Sequence, residues 1–379
     1  MTDQLNTPRL PIDTTKNSIL TEPLVDSFGR KHTDMRFSIT ERCNFRCTYC
    51  MREDQRFNPS SLDLTPDEIL RIASIAHGLG IRAVRITGGE PLMRKDVVSI
   101  VKKLKNVGFD ELTMTTNASL LSHTSRGVTM AQNLKDAGLD RLNVSCDSLN
   151  PERFKKIRRR GTLQGVTNGL QAAYEAGFEE IKMNVVVIRG INDDEILDFA
   201  QFARMSSILG RECIVRFIEH MPLGETGDEQ TSWTPDKVVP AEEIVNLIDS
   251  KWPIKIANHQ GDHAPASRWS FDDGFGEIGV IPTMTNRFCG DCNRLRVTSD
   301  GTVVSCLFSP KEARFRLRDK LRTGCTDEEI AQVFHGAVTS KKAAQNRNLD
   351  EPTILESPGA YIEGGSRGAQ GTTMSQIGG

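Results

Sequence analysis

Tyrosine and tryptophan are scarce in this sequence, three of each among 379 residues, and neither charge dominates. Forty-eight lysines and arginines stand against 50 acidic residues, for a net charge of −2. Without a global field the chain is not built to collect nucleic acid or an anionic membrane surface, so any basic site has to be local. No apolar run reaches the ~18 residues that read as a membrane-spanning helix. The opening stretch "MTDQLNTPRLPIDTTKN" lacks the apolar h-region of a secretory signal. Missing too is a G-x4-G-K-[ST] sequence, which excludes the phosphate cradle of P-loop hydrolases. The expectation is a cytoplasmic protein with no nucleic-acid and no membrane partner. In that reducing compartment the nine cysteines serve as ligands or free thiols rather than disulfides.

What is present is a rhythm. Six times a short β-branched stretch leads through a loop into a helical period: "MRFSIT", "IRAVRIT", "ELTMTT", "RLNVSC", "IKMNVVVI" and "CIVRFI". In "TPDEILRIASIAHGLG", Thr65 and Glu68 form a capping box, Pro66 opens the helix, and Ile69, Ile72, Ala73 and Ala76 make its apolar stripe. Strands and helices alternating at this length predict an α/β fold with a parallel sheet. Six units suit a partial (β/α)6 TIM-type barrel followed by a smaller C-terminal domain. The rhythm breaks after about Gly224, and "RLRVTSDGTVVSC" reads as a hairpin turned at Asp300–Gly301. The expected division is a flexible segment 1–25, a barrel 26–232, a C-terminal domain 233–366 and a tail 367–379 ending in Gly-Gly.

Cys43, Cys47 and Cys50 follow the first strand in a C-x3-C-x2-C pattern, at the end of a parallel sheet where ligands gather. Three thiolates cannot complete a structural zinc site, which wants four ligands. They can hold three irons of a [4Fe–4S] cubane and leave the fourth open. Zinc completed by a remote histidine is the alternative. After the second strand stands "TGGEPL", where Gly88 and Gly89 bare the backbone and Glu90 adds a carboxylate suited to an ammonium group. Near the other end, Cys289, Cys292 and Cys306 form a C-x2-C-x13-C set, and His263 or His335 could complete a zinc site there. Arg294 and Arg296 alternate between these cysteines, two guanidinium forks for an anionic or carbonyl-bearing ligand. Cys146, Cys213 and Cys325 are isolated and take no ligand role. The run "KKIRRR" at 155–160 reads as a solvated helix end ahead of a phosphate rim.

The cysteine triplet with the GGE turn resembles the radical S-adenosylmethionine superfamily. With the second cysteine set and its "CNRLR", nearly the whole chain from Asp26 to "MSQIGG" resembles the GTP 3′,8-cyclase family of molybdenum-cofactor biosynthesis. That resemblance implies two [4Fe–4S] clusters, the second in the C-terminal domain, and S-adenosylmethionine as cofactor. It implies that Tyr49, Gly88, Gly89, Glu90, Ser145 and Met221 contact the cofactor. Arg36, Arg85, Thr116, Lys182, Arg294, Leu295 and Arg296 would contact GTP, and Gly378 and Gly379 would enter the site to assist catalysis. The implied reaction has a 5′-deoxyadenosyl radical abstract the ribose 3′ hydrogen, after which the ribose carbon closes onto C8 of guanine. The implied partners are a reduced flavodoxin- or ferredoxin-type donor and a downstream cyclic pyranopterin monophosphate synthase; a homodimer is left open. Ala118 departs from the family, whose members often have glycine there; alanine disfavours positive φ. "SHTSRGVT" is an insertion. Two rival readings are a peptide-modifying radical S-adenosylmethionine enzyme with an auxiliary cluster, and a non-catalytic Fe–S electron carrier.

Overall fold

The computed structural model describes residues 19–223, 228–257, 266–309 and 313–341. Along the chain run β1 (Asp34–Ser38), α1 (Pro66–Gly78), β2 (Ala83–Thr87), α2 (Val97–Lys105) and β3 (Glu111–Thr116). A small hairpin, β4 (Thr124–Ser125) and β5 (Val128–Thr129), precedes α3 (Met130–Asp136) and β6 (Arg141–Ser145). Then come α4 (Pro151–Arg158), α5 (Leu163–Glu175), β7 (Glu180–Val187), α6 (Ile196–Ile208) and β8 (Glu212–Glu219). The remainder holds α7 (Ala241–Lys251), β9 (Ile254–Ile256), β10 (Ser267–Phe271), β11 (Glu277–Ile281), β12 (Arg294–Val297), β13 (Thr302–Val304), β14 (Arg314–Arg316), α8 (Arg318–Arg322) and α9 (Asp327–Thr339).

All six strands expected from the β-branched runs form. They pair in parallel as β1-β2-β3-β6-β7-β8, with helices crossing between them. α1 begins as its sequence dictates: Glu68 N donates to Thr65 Oγ1 at 3.2 Å and Thr65 N to Glu68 Oε2 at 2.7 Å. Its stripe of Ile69, Ile72, Ala73 and Ala76 is buried, each isoleucine worth roughly 1.5–3 kcal/mol of burial. The insertion is the β4–β5 hairpin, turned by Arg126 (φ 52°) and Gly127 (φ 81°). The β12–β13 hairpin differs slightly from the Asp300–Gly301 turn expected. Thr298 N bonds Thr302 O at 2.9 Å, and in the loop only Gly301 has positive φ (78°), so the loop holds three residues.

The C-terminal region does not build a sheet of its own. β11 joins β8 in parallel and β12 joins β1 in parallel, so one twelve-stranded sheet runs β14-β13-β12-β1-β2-β3-β6-β7-β8-β11-β10-β9. An expected boundary near 232 therefore divides the polypeptide but not the sheet. β11 and β12 do not pair with each other, and the segment joining them carries Cys289 and Cys292.

Strand alternation explains the site. Met35, Phe37, Val84, Ile86, Leu112, Met114, Leu142 and Val144 are buried apolar side chains of the core. The alternate positions are polar, and register sets them side by side: Arg36 beside Arg296 and Arg85, and Asn184 beside Ser145 and Arg216. A closed barrel fills its interior with branched apolar residues; here the corresponding face of an open sheet carries these hydrogen-bonding groups. Among the described residues no helix is long and apolar enough to cross a membrane.

Candidate active site

The first cysteine loop is held between two neighbours. On one side is the Gly88–Gly89 turn. Gly89 N donates to Thr40 O and Glu90 N to Arg42 O, both at 2.8 Å. A Cβ on Gly88 would stand 2.4 Å from Thr40 O, and one on Gly89 2.5 Å from both Arg42 O and Glu41 O. Neither glycine has positive φ; the glycines are there for space. This corrects the expectation of a bared backbone, since the amides of Gly89 and Glu90 are spent on the loop itself. Glu90 is buried and accepts from Leu92 N (3.0 Å), Thr116 Oγ1 (2.8 Å) and Asn117 N (2.7 Å). Burial pushes its carboxyl up to about 7 despite those donors. Ala118 does adopt positive φ (63°), against expectation. Thr116 Oγ1 accepts its amide at 3.0 Å, and its carbonyl packs against Gly169 of α5.

On the other side is the C-terminus of α4. Arg46 N donates to Arg158 O (3.1 Å) and Thr48 N to Ile157 O (2.9 Å), so the helix's last carbonyls grip the loop. The basic run divides in a way its composition did not predict. Lys155 and Lys156 are exposed, Arg159 pairs with Asp228 and Arg160 with Glu53. Arg158 instead turns inward, is 3% exposed, and donates from Nη1 to Cys47 Sγ at 2.9 Å. Its Nη2 lies 2.9 Å from Asp147 Oδ2, the atom that accepts Tyr49 OH at 2.8 Å. Burial raises the thiols of Cys43, to about 12, and of Cys47.

The second cysteine set is clasped by groups distant in sequence. Arg30 Nη1 donates to Cys289 O at 2.7 Å, and Lys341 Nζ reaches Cys292 O at 3.0 Å and Cys292 Sγ at 3.4 Å. Burial opposes ionisation of Cys292, but Arg294 and Lys341 overcome it and bring the thiol down to about 6.

One cavity joins the two sets. Its lining holds all six cysteines, Tyr49, Gly88, Gly89, Glu90, Thr116, Ser145, Met221 and seven arginines, against only two carboxylates, Glu90 and Asp147. Arg36, Arg85, Arg294 and Arg296 are among the seven; Arg216, which no motif flagged, is another. Arg216 is fixed by Asn184 Oδ1 (2.9 Å) and Asn143 Oδ1 (2.6 Å). Burial depresses Arg216 to about 9 and Arg296 to about 10, and burial with Arg296, Arg85 and Arg294 depresses Arg36. A guanidinium keeps its proton at neutral pH, so these depressions register mainly the burial of charged groups, and secondarily their neighbouring arginines; an anion in the cavity would compensate both. Lys182 and Leu295 are not in the lining. Lys182 pairs with Glu180 at 3.2 Å, and Leu295 is fully buried in the core. Gly378, Gly379 and His263 lie outside the described residues.

The family model for the Radical SAM superfamily matches residues 37–203, and that for Molybdenum Cofactor Synthesis C matches residues 213–347. The chain is 41% identical over 340 residues to the GTP 3′,8-cyclase of Rhodopirellula baltica, covering 88% of this chain and 90% of that protein. The Moorella thermoacetica GTP 3′,8-cyclase is 39% identical over 356 residues, 93% of this chain and 99% of its own. The chain belongs to the GTP 3′,8-cyclase family. Streptococcus suis SuiB bound to S-adenosylmethionine shares the fold, with a TM-score of 0.52 at 12% identity, over 83% of this chain and 64% of that one.

GTP 3′,8-cyclases are radical S-adenosylmethionine lyases that carry [4Fe–4S] clusters, the second in the C-terminal region. The cysteines here suit that group. Among the described residues no three His, Cys, Asp or Glu side chains converge on a point that one metal ion could fill. What fits is the donor set: structural zinc wants four ligands, whereas the three thiolates of each set would take three different irons of a cubane. His335, the described histidine considered for zinc, lies on α9 and outside the cavity lining. Cys146, beside Ser145, is buried and donates to Ser148 O at 3.4 Å.

Proposed function

We propose that this cavity binds GTP together with S-adenosylmethionine and converts GTP to (8S)-3′,8-cyclo-7,8-dihydroguanosine 5′-triphosphate, the first step of molybdenum-cofactor biosynthesis. The observation that carries the reading is the union of both cysteine sets and a concentrated positive charge in one cavity. Cys43, Cys47 and Cys50 would hold one [4Fe–4S] cluster, and Cys289, Cys292 and Cys306 the other. When bound, the first cluster and S-adenosylmethionine supply one-electron reductive cleavage and abstraction of the ribose 3′ hydrogen.

The chain's own residues do the rest. Tyr49, Gly88, Gly89, Glu90, Ser145 and Met221 orient the cofactor, and the Glu90 carboxylate receives its ammonium. Arg36, Arg85, Arg294 and Arg296 take the triphosphate, each charge-assisted bond contributing roughly 1.5–3 kcal/mol. Arg216 adds a further cation. Thr116 reaches GTP while its hydroxyl bonds Glu90, Leu295 contributes through its backbone, and Lys182 exchanges Glu180 for phosphate. The electron comes from a reduced flavodoxin- or ferredoxin-type donor, and the product passes to a cyclic pyranopterin monophosphate synthase in the cytoplasm.

The test is anaerobic reconstitution with iron and sulfide, which should give about eight irons per chain for two cubanes and GTP-dependent cyclic product. Zinc in the purified protein, or cofactor cleavage without any product from GTP, would overturn the reading. Gly378 and Gly379, free of side chains, can thread into a narrow site. Deleting them should leave iron content and GTP affinity nearly intact and abolish the product.

A further inference from the structure

We propose that Arg158 is a positioning residue that sets the reduction potential of the first cluster, with Asp147 as its counterweight. The inference rests on the proposed cluster at Cys43, Cys47 and Cys50. Arg158 is the last residue of α4, and its guanidinium is buried against a cysteine sulfur rather than exposed with the rest of its basic run. Two adjoining rings pack against it: its Cζ lies 6.0 Å from the centroid of Phe45 and 5.9 Å from that of Phe154. Its carbonyl accepts Arg46 N, so main chain and side chain of one residue hold the same loop. The nearby cation Arg46 donates instead to the carbonyls of Cys43 and Phe45.

Reducing the cluster adds one electron from a low-potential reductant, and no proton need move. The added negative charge spreads onto the cysteine sulfurs, where an N–H donor and a buried positive charge stabilise it. Arg158 therefore raises the potential. Asp147 opposes it: the carboxylate sits within ion-pair distance of the guanidinium and also accepts Tyr49 OH and Val186 N (3.0 Å). Deleting the cation leaves an uncompensated anion near the cluster, and deleting the anion leaves the cation unbalanced. The two substitutions must shift the potential in opposite directions.

The experiment is an EPR-monitored redox titration of the reconstituted full-length protein with dithionite. The first cluster is identified as the signal that changes on adding S-adenosylmethionine. Arg158→Met should favour the oxidised form by about tenfold, a midpoint lower by ~59 mV for one electron. Asp147→Asn should raise the midpoint, and Arg158→Lys should recover part of the loss. A purely structural brace would cost iron occupancy or melting temperature in both variants without opposite midpoint shifts. If Arg158→Met assembles no cluster, Asp147→Asn decides alone: a raised midpoint supports the proposal and an unchanged or lowered one overturns it. Midpoints that stay put, or move the same way, also overturn it. Failure of the unmodified protein to form a cluster would instead refute the reading on which the inference rests.

Discussion

Gly169 lies in the middle of α5, where alanine would ordinarily stabilise a helix by about 1 kcal/mol. Here a Cβ would stand 2.0 Å from Ala118 O, a backbone atom that cannot step aside. The contact matters because Ala118 directly follows Asn117, whose amide holds the Glu90 carboxylate. Gly169→Ala should therefore reverse the usual sign and destabilise the protein by about 2–3 kcal/mol, the scale of overpacking, read as a lowered denaturation midpoint. Arg36 makes the opposite bargain between binding and stability. Its Nε is buried without a hydrogen-bond partner, and Arg296 and Arg85 flank it across the sheet. Arg36→Met keeps the aliphatic stem and removes the charge. GTP affinity should fall roughly ten- to a hundredfold, matching ~1.5–3 kcal/mol, while the unliganded protein melts at the same temperature or higher. Calorimetric titration and thermal denaturation check the two halves; a lower melting temperature would mean that Arg36 braces the fold.

Elements whose signals are local are legible in the sequence. The capping box and stripe of α1 and the six parallel strands depend on neighbours within a few residues. Arg216, Arg158, Arg30 and Lys341 were not readable, because what aims them inward is strand register or a helix end meeting a distant loop. Arg216 looks like any strand arginine until Asn184 and Asn143 come beside it. The Gly-Gly turn was found, but not its reason: the two loops touch too closely for a Cβ. Glu90, the next residue, is itself buried. Burial raises its carboxyl from 4.5 to about 7, so the charged form gains ground as pH climbs through neutrality. A ligand ammonium needs the ionised form. Affinity for S-adenosylmethionine should thus rise with pH from about 6, by at most tenfold per unit, to a maximum between the Glu90 pKa and that of the ligand's own α-ammonium near 8, above which the ammonium is lost. Glu90→Gln should bind more weakly and flatten the profile in equilibrium dialysis; an unchanged slope would remove Glu90 from the cofactor's ammonium.

Across the whole molecule, the parallel pairing of β12 with β1 is what unites the two cysteine-bearing regions. It sets Arg296 beside Arg36 and brings Cys289, Cys292 and Cys306 to the same cavity as Cys43, Cys47 and Cys50. Sequence spacing revealed two cysteine sets, but nothing local said that they share one cavity. The two sets sit in different surroundings, and that predicts a division of labour. Cys47 is held by the end of α4 and by Arg158, on the side of the cavity that carries Tyr49 and the Gly-Gly turn. Cys292 is held by Lys341 and lies two residues from Arg294, among the cations suited to a triphosphate. Cys47→Ala should therefore abolish 5′-deoxyadenosine formation while keeping about four irons, one surviving cubane. Cys292→Ala should also keep about four irons and still release 5′-deoxyadenosine under a strong reductant, yet lose GTP affinity and cyclic product. Iron counting, product chromatography and GTP titration on the two variants read the whole pattern. If Cys47→Ala still cleaves the cofactor, or if the remaining metal in that variant is zinc, the assignment of the two sets fails.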